Sequence, residues 1–113
     1  MTNPAAEFFK KHKIDSEKMK TLAPDVPMAF GGMFQKLMKD GALTVRDKEL
    51  VALGMAIVLR CVPCINMHVK KCLENGVTKE QVLEVAAVAV MMQGGPGFMY
   101  VPVVMDALEA CAE

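Results

Sequence analysis

Two apolar runs constrain the chain more than anything else in it: "LVALGMAIVL" from Leu50 to Leu59 and "VAAVAVMM" from Val85 to Met92. At ten and eight residues, both fall far short of the roughly 20 needed to cross a bilayer as a helix. Wound as helices they are apolar nearly all the way round, which marks a helix buried on every side. A chain of 113 residues is one domain with a modest core and has little room for two such helices. Subunits that cover one another resolve the shortage, so the sequence predicts a homo-oligomer with a large apolar interface. The plainer alternative is one deeply buried hairpin within a monomer. Eleven methionines suit either arrangement as adaptable packing and need no functional account.

The remaining punctuation is helical. "AAEFFKKH" reads as a turn or two of helix, "LAPDVP" as a Pro-punctuated connector, and "MAFGGMFQKLMKDG" places Met28, Phe30, Met33, Phe34 and Leu37 at helical spacing, with Gly41 as a stop. Thr44 followed by Asp47 fits an N-cap for a helix running through Leu59. Pro63 suits the first turn of the next helix, which Asn75-Gly76 closes. Thr78 with Gln81 forms a capping box for a helix to Gln93, where "GGPG" breaks it, and a last helix is expected over "FMYVPVVMDALEACAE". No stretch alternates with a period of two, so the expected fold is all-α over a single domain, residues 1–113.

Charge narrows the partners. Thirteen basic and thirteen acidic residues balance, leaving no basic field to draw nucleic acid or an anionic membrane surface. The N-terminal "MTNPAAEFFKKHKIDSEK" lacks the basic-then-apolar plan of a secretory signal. A cytoplasmic protein is therefore expected, and in a reducing compartment cysteines are catalytic, redox-active or metal-binding more often than structural.

Three of the four cysteines and one of the two histidines lie in "LRCVPCINMHVKKC". Positions 64, 68 and 72 share one helix face. Zinc is one reading of this cluster. However, eight residues of helix rise about 12 Å, whereas two sulfurs on one zinc, each at roughly 2.3 Å, lie within about 4 Å of each other. Cys64 and Cys72 cannot share an ion, which leaves three ligands with a vacancy. A c-type haem would need His where Ile65 stands. A Cys61–Cys64 bond closes too small a loop to add much stability, so it would be a bond made to open and close. Thiol chemistry agrees best with the local physics. A helix N-terminus stabilises an anion, and His68, one turn beyond Cys64, can accept its proton. A thioredoxin-like site is a further alternative, but it needs a preceding strand where this sequence reads as helix.

Glu49, twelve positions before Cys61, completes the pattern E-x11-C-x2-C-x3-H. That pattern resembles the active-site signature of the alkylhydroperoxidase D-like branch of the carboxymuconolactone decarboxylase family. "ENGVTKEQVLEVAAVAVMMQGGP" is similar to the family's Gly, N-cap and apolar-helix segment, so the likeness spans roughly residues 44–102. The resemblance implies an all-helical bundle assembled as a trimer or hexamer. It further implies a thiol-dependent peroxidase reducing hydroperoxides, with electrons from a dithiol or protein donor and no cofactor or metal. In that reading Cys64 becomes the sulfenic acid, Cys61 is proton donor and disulfide partner, and Glu49 with His68 relays protons. The alternatives are a decarboxylase-like lyase, although the family's decarboxylases proper generally lack the cysteine pair, and a non-catalytic redox-sensing or binding module.

Spacing alone does not deliver the relay. A simple antiparallel hairpin turning near residue 61 sets His68 opposite about residue 54, so a crossing angle, an irregular turn or a bridging water must bring Glu49 to it. Cys72 is expected to be a buried spectator, or else an alternative resolving thiol. Cys111 has no base beside it, and His12 in "KKHK" reads as a solvated surface residue. Arg60 could steady a thiolate or serve an interface.

Overall fold

The computed structural model describes residues 2–112, and they form an all-α, single-domain helical bundle. Its helices are α1 (Pro4–Leu22), α2 (Asp25–Leu37), α3 (Val45–Val58), α4 (Val62–Glu74), α5 (Lys79–Gln93), the single turn α6 (Gly95–Phe98) and α7 (Val101–Cys111). Among the described residues no helix is long and apolar enough to cross a membrane.

The core is built where α3 packs on α4 and α5 and α7 closes over α4. Leu53 and Ile57 of α3, Ile65 and Val69 of α4, Val82 of α5 and Val104 of α7 are fully buried there. Polar side chains lock the helix ends to one another. Thr44 caps α3 by accepting from the Asp47 N–H, and Thr78 and Gln81 form the expected capping box on α5. Gln81 also accepts from the Arg46 guanidinium at 2.6 Å, joining the first turns of α3 and α5. At the other ends of the same helices, Gln93 donates to the Val58 carbonyl at 2.8 Å. Asn3 caps α1 by accepting from the Ala5 and Ala6 N–H groups, and its amide donates to the Asp106 carbonyl, tying α1 to α7.

Three elements differ from the sequence reading. The first helix is 19 residues long, and the connector after it shrinks to Ala23-Pro24 because Pro24 and Pro27 fall at the cap and first turn of α2, where a missing N–H is harmless. That helix ends at Leu37, with bends through residues 38–43, so Gly41 is not its stop. The last helix is divided. Gly94, at φ +73°, turns the chain into α6, where Gly97 lies so close to α5 that a Cβ would meet the Ala89 carbonyl at 3.1 Å. Phe98 therefore belongs to α6 and α7 begins at Val101; Glu113 lies outside the described residues.

The two apolar helices are not covered on every side within the chain. Val51, Met55, Val58, Val88, Met91 and Met92 are exposed, and α3 and α5 enclose an open apolar groove of about 600 Å³. Helix α2 buries none of its residues, and Val26, Phe30, Met33 and Leu37 are all at least half exposed.

Candidate active site

The site begins in the turn between α3 and α4. The Cys61 N–H donates to the Ala56 carbonyl at 3.1 Å and the Arg60 N–H to the Ile57 carbonyl at 3.0 Å, the paired bonds of a Schellman ending. Arg60 occupies the left-handed position of that motif at φ +57°. The chain reverses so tightly that Cys61 is at once the last residue of this turn and the N-cap of α4, with Pro63 in the first turn.

Cys61 and Cys64 are joined as a disulfide, with Cα atoms 5.2 Å apart. The Cys64 N–H points at the Cys61 sulfur, 3.3 Å away. Both sulfurs thus sit at the positive end of α4, the end that favours a thiolate. Position in the first turn gives this benefit to Cys64; the cap geometry extends it to Cys61. Cys64 is exposed and Cys61 half-buried.

Glu49 and His68 meet directly, Oε1 to Nδ1 at 2.7 Å, with Glu49 only 2% exposed and the His68 side chain 19%. An ionised carboxylate only accepts, so His68 donates through Nδ1–H and Nε2 is left as the basic nitrogen. The simple hairpin expectation of residue 54 opposite His68 is corrected by the turn itself. The non-helical stretch between Val58 and Val62 centres on Arg60, which sets His68 level with about residue 52, and the remaining three residues amount to about 4.5 Å of helical rise. Two side chains reach across that offset without a bridging water.

Helix α2 adds what sequence reasoning missed. Phe34 stacks over the His68 ring, with centroids 6.5 Å apart, and the Lys71 ammonium lies 4.9 Å from the Phe34 centroid. Helices α1, α2 and α4 enclose a cleft of about 610 Å³, with Cys64, Met67 and His68 on one wall and Phe8, Phe30 and Phe34 among those facing them. His12 was expected on open surface. It is exposed, but it stacks on Phe8 at 5.3 Å and lines this same cleft. The only advance signal was its position four residues after Phe8, one turn along the same helix face.

Cys72 is fully buried, and burial, with the Glu49 charge adding to it, pushes its thiol up to about 12. Cys111 is half-buried beside Phe9 and Lys70, away from the cleft, and burial raises its thiol too. Among the described residues no group of three or more His, Cys, Asp or Glu side chains is placed to hold a metal ion.

An all-α bundle with a disulfide-forming pair at a helix head belongs to a recognised class. Residues 24–110 match the carboxymuconolactone decarboxylase family, and the chain belongs to that family. The match reaches beyond residues 44–102 to take in α2 and almost all of α7. A protein of Cupriavidus necator is 38% identical over 77 residues, 68% of each chain. An alkyl hydroperoxide reductase AhpD of Corynebacterium kroppenstedtii is 27% identical over 90 residues, and the matched stretch spans only 52% of that relative's length. Among solved structures, a carboxymuconolactone decarboxylase family protein from Legionella pneumophila superimposes with a TM-score of 0.84 at 32% identity, covering 98% of this chain and 96% of that one. A family member from Thermotoga maritima shares the fold, with a TM-score of 0.72 over 94% of this chain and 87% of its own. Family and cysteine pair together give the chain a redox-related role.

Proposed function

We propose that the protein is a thiol-dependent peroxidase that reduces hydroperoxides through Cys61 and Cys64. The observation that carries this reading is the Glu49–His68 pair at 2.7 Å, whose His68 lines the same cleft as Cys64. A buried carboxylate that orients an imidazole, with its free nitrogen one turn from a sulfur at a helix head, is an arrangement for moving a thiol proton. The kinship with an alkyl hydroperoxide reductase points the same way.

In the proposed cycle His68 takes the Cys64 proton and the thiolate attacks the outer oxygen of R–O–O–H. The O–O bond breaks, the alkoxide leaves as R–OH after taking a proton from Cys61 or His68, and Cys64 holds a sulfenic acid. The Cys61 sulfur then attacks Cys64, water departs, and the disulfide forms. One peroxide is reduced and two thiols are oxidised. An external dithiol, small or protein-borne, attacks the exposed Cys64 sulfur and expels Cys61, which the Cys64 N–H stabilises. We place this cycle in a cytoplasmic homo-oligomer, trimer or hexamer, whose subunits cover the groove between α3 and α5.

Cys64→Ser is expected to abolish turnover of an organic hydroperoxide supplied with a dithiol donor while the assembly persists. A lyase would survive Cys61→Ala and Cys64→Ala together. A redox sensor would consume peroxide only stoichiometrically, even with the donor in excess. Either result removes the peroxidase assignment.

A further inference from the structure

The cleft over Cys64 has a charge pattern that the peroxidase cycle does not use. Its walls are mainly apolar, from Phe8, Met19, Val26, Phe30, Phe34 and Met67, yet His12, Lys20 and Lys71 also line it and, among the described residues, no Asp or Glu does. Lys20 lies 3.4 Å from Glu17 at the exposed rim. Lys71 also borders a smaller pocket lined by Glu49 and Glu74, yet has no carboxylate within 4.0 Å among the described residues; its ammonium is held instead over the Phe34 ring, with the side chain half-buried. A cation on an aromatic face inside an apolar cleft lacks an anion that a ligand can supply, since opposite charge is worth most where water is partly displaced.

We propose that the cleft takes a long-chain carboxylate, with the acid group at Lys71 and the alkyl chain along the aromatic wall toward Cys64. The chemistry rests on the peroxidase reading; the binding does not. Lys71 is seven residues beyond Cys64 on α4, about 10.5 Å of helical rise. An extended chain advances roughly 3.5 Å for every three bonds, and a lysine side chain leans toward the helix N-terminus, so a carboxylate at Lys71 sets an atom up to about nine bonds away beside the sulfur. The favoured substrate is therefore a long-chain acid that bears its hydroperoxide near mid-chain, reduced at Cys64 to the hydroxy acid. The cleft volume of about 610 Å³ lies in the ordinary range for small-molecule sites.

Two measurements test this. The first is displacement of a fluorescent fatty-acid probe by oleate and by methyl oleate below their aggregation limits, in wild type, Lys71→Met and Lys70→Met. Methionine keeps the apolar stem over Phe34 and removes only the charge, and Lys70 lies on the same helix outside the cleft. Oleate is expected to bind at least tenfold more tightly than the ester in wild type and Lys70→Met, and the preference is expected to vanish in Lys71→Met. Equal affinity for acid and ester in wild type, or a preference that survives in Lys71→Met, overturns the proposal. The second is turnover of a mid-chain hydroperoxide of the same acid, its methyl ester and tert-butyl hydroperoxide. A several-fold higher kcat/KM for the acid supports the assignment. Equal turnover of all three defeats it and leaves the peroxidase intact, whereas an acid preference in binding with no turnover of any peroxide removes the peroxidase reading alone.

Discussion

Along α3, the side that faces α4 and the side that faces away from it use nearly the same residues. Leu53 and Ile57 on the inner side are fully buried, whereas Val51 and Met55 on the outer side are 51% and 62% exposed. Hydrophobicity alone does not separate them. What does is Glu49, a carboxylate 2% exposed on the inner side, while the outer side carries no charge from Leu50 to Leu59. An unpaired buried carboxylate costs several kcal/mol, so the inner side holds one because His68 is there to pair with it. The outer side is apolar because, in the proposed assembly, another copy covers it. One side is a core built around the buried Glu49–His68 pair, and the other is, in the proposed assembly, a core that a second copy completes.

Substituting matched residues on the two sides gives the largest contrast. Leu53→Ala is expected to lower the free energy of unfolding by about 2–5 kcal/mol, read from denaturant titration. Met55→Lys is expected to leave helix content unchanged and reduce the particle to monomers by light scattering, because a charge in the groove cannot be desolvated across an interface. If Met55→Lys unfolds the chain, or leaves the particle mass unchanged, the outer side is not an interface.

Glu49→Gln comes next. It keeps the shape and a hydrogen bond to His68 while removing the charge that supports a protonated imidazole. With general-base assistance worth about 10²–10⁴-fold, peroxide turnover is expected to fall about a hundredfold with little change in melting temperature. A loss of less than about threefold detaches the pair from proton transfer.

The third prediction concerns reactivity at pH 8. Once the protein is reduced, iodoacetamide is expected to label Cys64 and to leave Cys72 unmodified until the chain unfolds, as mass spectrometry would show. Burial raises the Cys72 thiol from 9.0 to about 12, so the folded state keeps its proton. The stabilising contribution is complete below pH 9 and is lost as pH rises toward 12, through which window the unfolded thiol ionises first.

Much of this was legible in the sequence because local signals were strong. Thr44, Thr78 with Gln81, Pro63 and Asn75-Gly76 each mark a helix boundary by chemistry that acts within a few residues, and the spacing from Cys64 to His68 fixes a shared face. What was not legible depends on tertiary placement. The Glu49–His68 contact turns on where the Arg60 reversal centres. The seating of Phe34 over His68 and the presence of His12 in the cleft turn on how α1 and α2 fold back, and "LAPDVP" carries no information about that angle. The division of the last helix at Tyr100 follows from the close approach of Gly97 to Ala89, a contact between elements that no pattern within "GGPGF" announces.

Arg60 gives the smallest effect and the finest test of the inner side. It holds a left-handed backbone at φ +57°, where glycine is the usual choice in a Schellman ending and where an ordinary side chain costs about 1–2 kcal/mol. Glycine would relieve that strain but return about 0.4–1 kcal/mol of freedom to the unfolded chain, so Arg60→Gly is expected to stabilise the protein by up to about 1 kcal/mol in denaturant titration. A residue kept where its replacement improves stability argues for a role, and Arg60 directly precedes Cys61 in the chain, the thiol expelled in the proposed cycle when the disulfide opens. Arg60→Gly should therefore be more stable but slower in disulfide reduction by a dithiol, and Arg60→Lys, which keeps the charge but not the planar fork, should recover part of the rate. If the glycine variant is both more stable and equally fast, the arginine serves the outer side and its interface, not the sulfur.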